Sequence, residues 1–243
     1  MSDLLLLIDA DYFFYRSATS AEYEMEYSED ITVIAGSFPH GKAMVRHELK
    51  QLCLRFDTDN ILLTFTAHQN FRKDIDPSYK GNRTKRKPCG YSKLKHWGMY
   101  TYPSVQYPRL EADDVMGILA TNGSLDNFVL VSPDKDMSQI PCRIYNLKEE
   151  FTQTPEAAER LLYKQTLTGD STDGYKGCVG IGPKKADQIL DTVKAGSYWP
   201  AVVTAYEEAG QTEADALRNF YLARILQAKD YDTQTQAPIF PYD

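Results

Sequence analysis

The segment Leu4–Ile8 is apolar at every position and stops at Asp9. A strand with one wet face alternates, so continuous hydrophobicity demands burial on both faces, with helices covering both sides of a mainly parallel sheet. Three further runs, Ile61–Thr66, Met99–Tyr102 and Phe128–Ser132, read as strands of the same sheet. Helices are expected at about residues 39–56 and 111–121. From Thr154 the pattern changes to helix after helix: Thr154 reads as an N-cap before Pro155, Pro183 opens a segment running to Gly196, and Thr212 caps a helix reaching about Gln227. The tail Tyr231–Asp243, with Pro238 and Pro241, reads as irregular. The expected division is therefore a core over residues 1–153 and a helical region over 154–243.

The charge is unevenly distributed. The chain carries 27 Lys and Arg against 34 Asp and Glu, a net −7, which taken globally argues against a nucleic-acid partner. Between Arg72 and Lys95, however, nine basic residues face two acids, a local +7 that leaves −14 on the remainder. Such asymmetry suits a basic clamp for a polyanion beside an acidic centre needing cations, although a solvated lysine-rich loop would look the same. With 42% hydrophobic and 25% charged residues the chain reads as an ordinary globular protein. Its longest apolar run falls far short of a membrane span and lacks the form of a secretory signal. Four widely spaced cysteines with no CxxC pair suggest reduced thiols and a cytoplasmic location, the host cytoplasm if the chain is phage-encoded.

The acids fall where strands end. Asp9 follows the first run and Asp11 lies two residues on; Asp134 and Asp136 follow Phe128–Ser132. In a parallel sheet these ends share one edge, where open α/β folds bind ligands. Glu111, Asp113 and Asp114 open an apolar helix, with Glu111 and Asp114 on one face, and Asp170 and Asp173 repeat that spacing. Helix-dipole and turn preferences explain any one group. Four segments bringing acids to one edge would repel one another, which points to bound divalent cations, and all-oxygen ligation favours Mg²⁺ or Mn²⁺ over zinc.

Gly177–Ala186 has glycines at 177, 180 and 182, then Pro183 at a helix start and the pair Lys184, Lys185. It lacks P-loop spacing and follows no buried strand. As a turn between helices it has the form of a hairpin that grips a DNA backbone without reading sequence, an ordinary glycine turn being the plain alternative.

Taken in order, IDADYFFYR, FRKDIDPSYKGNR, LEADD, SPDKD and TGDSTDGYKGCVGIGPKKA closely resemble the structure-specific 5′-nucleases: the flap endonucleases and the 5′-nuclease domain of bacterial DNA polymerase I. The resemblance spans about residues 4 to 196, and the ending ARILQAKDYD looks most like the stand-alone 5′→3′ exonucleases of short-tailed phages. It implies an α/β, PIN-like core with a mainly parallel sheet flanked by helices. It also implies a basic arch over about 68–97, and a C-terminal helical region containing a helix-three-turn-helix. Carried over, Asp9, Glu111, Asp113, Asp114, Asp134, Asp136, Asp170 and Asp173 match the acids of a site for two Mg²⁺ ions, with Mn²⁺ as a substitute. Tyr79, Lys80 and Arg83 match arch residues near the scissile phosphate, with Lys80 and Arg83 in the catalytic role. Gly180 and Gly182 match hairpin glycines where family members also hold a monovalent cation, here K⁺. Asp11 has no such counterpart.

The residues add detail of their own. Tyr79 is the candidate for stacking on a frayed base. Lys85, Arg86, Lys87, Lys184 and Lys185 are candidate DNA contacts, and Lys80–Pro88 is expected to order around a 5′ end. The expected partners are duplex DNA with 5′ ends or flaps and an RNA–DNA hybrid, bound by a monomer.

One position departs from the family. After Ile61–Thr66 the resemblance implies an aspartate, and Ala67 stands there, an engineered substitution or a natural divergence. The expected activity is a metal-dependent 5′→3′ exonuclease, with flap endonuclease and RNase H activity in prospect, slowed at this position. The alternatives are a DNA-end-binding protein that no longer cuts and a PIN-type ribonuclease.

Overall fold

The computed structural model describes residues 3–240. β1 (Leu5–Asp9) runs straight into α1 (Ala10–Ser20), because the Asp9 carboxylate accepts the Tyr12 N–H and caps the helix. A hairpin, β2 (Glu22–Ser28) and β3 (Ile31–Gly36), leads to α2 (Phe38–Phe56), which is capped by Ser37 and carries Pro39 in its first turn. β4 (Ile61–Thr64) follows, then the short α3 (Arg72–Ile75), a long basic loop, α4 (Tyr91–Thr101) and β5 (Ser104–Val105). α5 (Ala112–Thr121), β6 (Phe128–Val131), β7 (Arg143–Tyr145) and β8 (Glu150–Thr152) complete the sheet region.

The six-stranded sheet has the order β5-β4-β1-β6-β7-β8, parallel throughout except for β8. β1 explains the apolar run. Leu6 and Ile8 face a core shared with α1 and α2, whereas Leu7 faces the opposite core with Met116 and Leu130, and all three are fully buried. Both faces are covered, so alternation would leave polar groups in a dry core.

Met99–Tyr102, expected as a strand, instead ends α4. Four apolar residues do not distinguish a buried strand from a buried helical face. Here Trp97 and Met99 pack on the core from the helix, which approaches α1 so closely that a Cβ on Gly98 would lie 2.2 Å from the Phe14 ring. The expected elements did not include α1, hidden behind the Asp9 motif, the β2–β3 hairpin, or the short strands β5, β7 and β8.

The second half is helical. α6 (Pro155–Thr168) starts at the expected Thr154 cap, and the two-residue strands β9 (Gly169–Asp170) and β10 (Tyr175–Lys176) pair across a turn. α7 (Pro183–Asp191), α8 (Tyr198–Glu208) and α9 (Glu213–Ala223) pack with α6 around a second core. α7 stops at Asp191 rather than Gly196, and α9 stops at Ala223 because Arg224, at ψ 122°, leaves helical geometry. Ile225 then packs against Leu7 and Met116, and Leu226 beside Val115, so the chain returns to the sheet. The tail is not wholly irregular: β11 (Tyr231–Asp232) pairs with β12 (Ala237–Pro238), while residues 241–243 lie outside the described part. Among the described residues no helix is long and apolar enough to cross a membrane, and the four cysteines are free thiols.

Candidate active site

The parallel register sets Asp9 beside Thr64 and Ile8 beside Val131, so the C-terminal ends of β1, β4 and β6 share one edge. Over it lies a cleft of about 100 Å³. Glu111 and Asp113 line it from the start of α5, Asp134 and Asp136 from the turn after β6, and Asp170 and Asp173 from the β9–β10 turn. Lys80, Arg83 and Lys135 enter it as cations.

These acids have different electrostatic surroundings. Burial, then the charge of Asp11, raises the Asp9 carboxyl to about 7, although it accepts the Ser132 hydroxyl at 2.9 Å. Burial and the charges of Asp9, Asp134 and Glu111 push Asp113 well above its usual range. Burial and Asp134 raise Asp136 to about 6. Glu111 goes the other way: burial would raise it, but Lys80 and Arg72 hold it at about 2. Its Oε1 accepts from Lys80 Nζ at 2.5 Å, and its Oε2 accepts from the Tyr79 hydroxyl at 3.0 Å. Asp173 accepts from the same hydroxyl at 2.9 Å and from Arg83 at 2.6 Å. Lys135 Nζ stands 3.7 Å from Asp170 and 4.0 Å from Asp136.

Lys80 is held by its own backbone. Its φ of 56° is left-handed, a conformation costing a non-glycine residue roughly 1–2 kcal/mol, and its N–H donates to the Asp173 carbonyl at 2.7 Å. That turn aims the side chain between Glu111 and Asp173.

Among the described residues no three His, Cys, Asp or Glu side chains gather around one point to enclose an ion. The carboxylates line an open cleft, and Glu111, Asp173 and Asp170 each have a Lys or Arg nitrogen within 4 Å. An open cleft suits Mg²⁺, which keeps several waters and takes few direct carboxylate bonds, better than it suits a fully dehydrated cage. The oxygen-only donor set and the raised pKa values of Asp9, Asp113 and Asp136 fit a cation that neutralises them.

Two expected site residues are placed differently. Asp114 is fully buried and faces away from the cleft. Its Oδ1 accepts from Arg72 Nη2 at 2.7 Å and its Oδ2 from Arg72 Nη1 at 2.7 Å, while Leu226 N–H donates to Oδ1 at 3.1 Å. Tyr79, expected to stack on a base, is only 2% exposed, with its ring in the helical core and its hydroxyl spent on Glu111 and Asp173. A buried ring cannot receive a base.

Lys85, Arg86 and Lys87 are exposed, but Arg86 is pinned by Glu22 at 2.5 and 3.1 Å. Lys184 and Lys185 are exposed on the first turn of α7. Gly180 has φ +74°, which explains its lack of a side chain. Gly182 has an ordinary φ of −98° and open space around it, so neither conformation nor internal packing dictates glycine there. It leaves the helix start clear for something approaching from solvent.

Ala67 follows the end of β4, with its N–H donating to Leu110 O at 2.9 Å, and offers no oxygen where a carboxylate was expected. Asp11 ties this region together: it accepts from Thr66 N–H at 2.7 Å, Tyr91 hydroxyl at 2.8 Å and Lys95 at 3.2 Å. Arg72, Lys135 and Gln165 were not singled out as site residues. Arg72 and Lys135 lie inside FRKDIDPSYKGNR and SPDKD; Gln165, which donates to Asp136 at 2.6 Å, carries no sequence signal.

The raised carboxyls predict a pH effect. A carboxyl whose folded pKa exceeds the unfolded value of 3.8 binds more protons folded than unfolded between the two, so Asp9 and Asp136 cost the metal-free protein stability as pH rises through their folded values of about 7 and 6. Cation binding needs the ionised forms. The rise in melting temperature on adding saturating Mg²⁺ is therefore expected to be larger at about pH 8 than at about pH 6. Glu111, ionised at both, does not contribute to the difference. Scanning calorimetry at the two values checks this, and equal shifts would show that these carboxyls do not titrate there.

Fold and cleft define a class: a parallel α/β domain with an acid-lined sheet edge, overhung by lysine and arginine and flanked by a glycine hairpin. A family profile described as "5'-3' exonuclease, N-terminal resolvase-like domain" matches residues 4–163. The chain belongs to that family. The exonuclease of Escherichia phage T7 is 29% identical over 94% of this chain and 90% of its own length. The exodeoxyribonuclease of Enterobacteria phage T3 is also 29% identical, over 94% of this chain and 89% of its own. The bacteriophage T5 flap endonuclease, solved as a pseudo-enzyme-product complex with DNA and metal ions, has the same fold. It superposes with a TM-score of 0.64 at 16% identity, over 90% of this chain and 88% of that one.

Proposed function

We propose that this chain is a divalent-metal-dependent 5′→3′ exodeoxyribonuclease that hydrolyses phosphodiesters at the 5′ ends of duplex DNA. Membership of the 5′-3′ exonuclease family and similarity to the phage T7 and T3 enzymes along nearly the whole chain support this reading. The observation that carries it is the cleft in which six carboxylates face Lys80 and Arg83. Activity on 5′ flaps and on the RNA of an RNA–DNA hybrid belongs to the same proposal, as do a monomeric state and action in a host cytoplasm.

Asp9, Glu111, Asp113, Asp134, Asp136, Asp170 and Asp173 would hold two Mg²⁺ ions, or Mn²⁺ in their place. Bound there, the ions supply a water of lowered pKa and neutralise charge on the leaving oxygen. Lys80 and Arg83, aimed into the cleft, stabilise charge on the phosphate undergoing displacement. Asp114 and Tyr79 hold Arg72 and Glu111 in place. Lys184, Lys185 and the backbone at Gly180–Gly182, with K⁺ at the hairpin, grip the duplex through its phosphates; Lys85 and Lys87 extend that contact. Backbone contact of this kind gives structure selectivity, little sequence preference and a steep salt dependence.

The test is single-turnover hydrolysis of a 5′-labelled duplex with a short overhang, in Mg²⁺ and in Mn²⁺, by this chain and by Ala67→Asp. The substituted chain is expected to cleave roughly 10- to 100-fold faster, or at correspondingly lower metal concentration. Equal rates would mean that the remaining carboxylates suffice. No cleavage by either would overturn the catalytic reading and favour the second one, a DNA-end-binding protein, to which Ala67 is the pointer.

A further inference from the structure

The ending ARIL marks where α9 gives way to extended chain at Arg224, and the segment Leu222–Leu226 across that junction is buried at each residue. Every one of its five residues lends a backbone group to a side chain near the cleft. Leu222 O accepts from Arg72 Nε at 3.1 Å and Arg224 O from Arg72 Nη2 at 2.5 Å. Ala223 O accepts from Gln139 Nε2 at 2.8 Å, Ile225 N–H donates to Gln139 Oε1 at 3.0 Å, and Leu226 N–H donates to Asp114 Oδ1 at 3.1 Å. Arg72 then reaches Glu111 in the cleft at 3.4 Å. Gln139 leads to another of its acids.

The second path has only one possible direction. A backbone N–H can only donate, so Ile225 requires Gln139 Oε1, which turns Gln139 Nε2 toward the Ala223 carbonyl and toward Gln165 Oε1 at 2.6 Å. Gln165 must then present its Nε2 to Asp136, and it donates to Oδ1 at 2.6 Å. Gln139 and Gln165 are 3% and 8% exposed, so water does not compete for these bonds. Two buried amides thus pass the fixed orientation of a backbone N–H to one carboxylate of the cleft.

We infer that Gln165 is a positioning residue for Asp136, anchored through Gln139 to the Leu222–Leu226 segment, and that it sets the orientation in which Asp136 meets a divalent cation. This rests on the metal-dependent reading above. The buried Gln139 amide requires only an acceptor at 165, which Gln165 Oε1 supplies to its second N–H at 2.6 Å; that requirement leaves the donor end of Gln165 unexplained. The amide is explained by its donor to Asp136.

The test uses the full chain and two variants. Gln165→Met keeps the length and removes both hydrogen bonds; Gln165→Asn keeps the amide but is one methylene too short to reach. Mn²⁺ binding to the DNA-free protein is measured by calorimetry, duplex affinity in Ca²⁺ and the melting temperature alongside. Both variants are expected to bind Mn²⁺ about 10-fold more weakly, with duplex affinity within about twofold of the parent. Saturating Mn²⁺ is expected to restore most of the single-turnover rate. Mn²⁺ affinity within about twofold of the parent in both variants would overturn the assignment. So would a loss matched by equal losses of duplex affinity and melting temperature, which would mark a packing role. If the parent binds Mn²⁺ and cleaves nothing, the hydrolytic reading fails while the binding comparison still decides the role of Gln165.

Discussion

Replacing Lys80 with methionine is expected to lower the single-turnover cleavage rate by about 10²- to 10³-fold, with a much smaller effect on duplex affinity. The reason is local. Lys80 Nζ sits 2.5 Å from Glu111 and 3.6 Å from Asp173, in a cleft where burial would favour its neutral form but those two charges keep it ionised. A cation so placed stabilises charge that appears only as the phosphate reacts, and in a partly dehydrated cleft it does so far more strongly than in water. Lys80→Arg preserves the charge but not the reach. A fall of less than about fivefold in Lys80→Met would remove Lys80 from the chemistry and leave it as a counter-ion to Glu111.

The largest stability effect is expected at Arg72. All of its N–H groups sit in a buried shell of Asp114, Glu111 and the carbonyls of Leu222 and Arg224. Arg72→Met leaves the Asp114 carboxylate without its partner at 0% exposure, and removing one member of such a pair costs about 3–5 kcal/mol. For a chain of this size that lowers the melting temperature by roughly 6–20 °C. Adding Asp114→Leu to Arg72→Met is expected to recover part of the loss, because the stranded charge disappears with its partner. Thermal melts of the single and double variants check this. A single variant melting within about 2 °C of the parent would contradict the assignment.

Much of the architecture can be read along the chain. Leu4–Ile8 and Phe128–Ser132 announce doubly covered strands, and Thr154 with Pro155, Pro183 and Thr212 announce helix starts, because each depends on a residue and its near neighbours. Met99–Tyr102 is ambiguous for the same reason: a run of four shows no period, and the close approach of Gly98 to Phe14 involves a residue far away in sequence. The β2–β3 hairpin alternates Glu with Tyr23, Met25 and Tyr27, but those apolar residues are exposed, so its alternation does not mark a face turned to the core.

The candidate site divides along the same line. Acids at strand ends and helix starts were legible as a group, since a parallel sheet brings those ends to one edge. Which acid does what was not. Asp113 and Asp114 are adjacent in the helix, yet one lines the cleft and the other is sealed against Arg72. Tyr79 and Lys80 are adjacent in the arch and both reach Glu111, yet the Tyr79 ring is sealed in the core while Lys80 brings a charge into the cleft.

Strand and helix positions, caps and the placing of acids just past strand ends are settled by local pattern, because they follow from hydrophobic periodicity and backbone chemistry within a few residues. The role of each carboxylate is settled by packing, because it depends on which donor comes within hydrogen-bonding distance. For Asp114 those donors arrive from 42 residues before it in Arg72 and 112 residues after it in Leu226, a pairing that exists only once α3, α5 and the end of α9 have closed on one another.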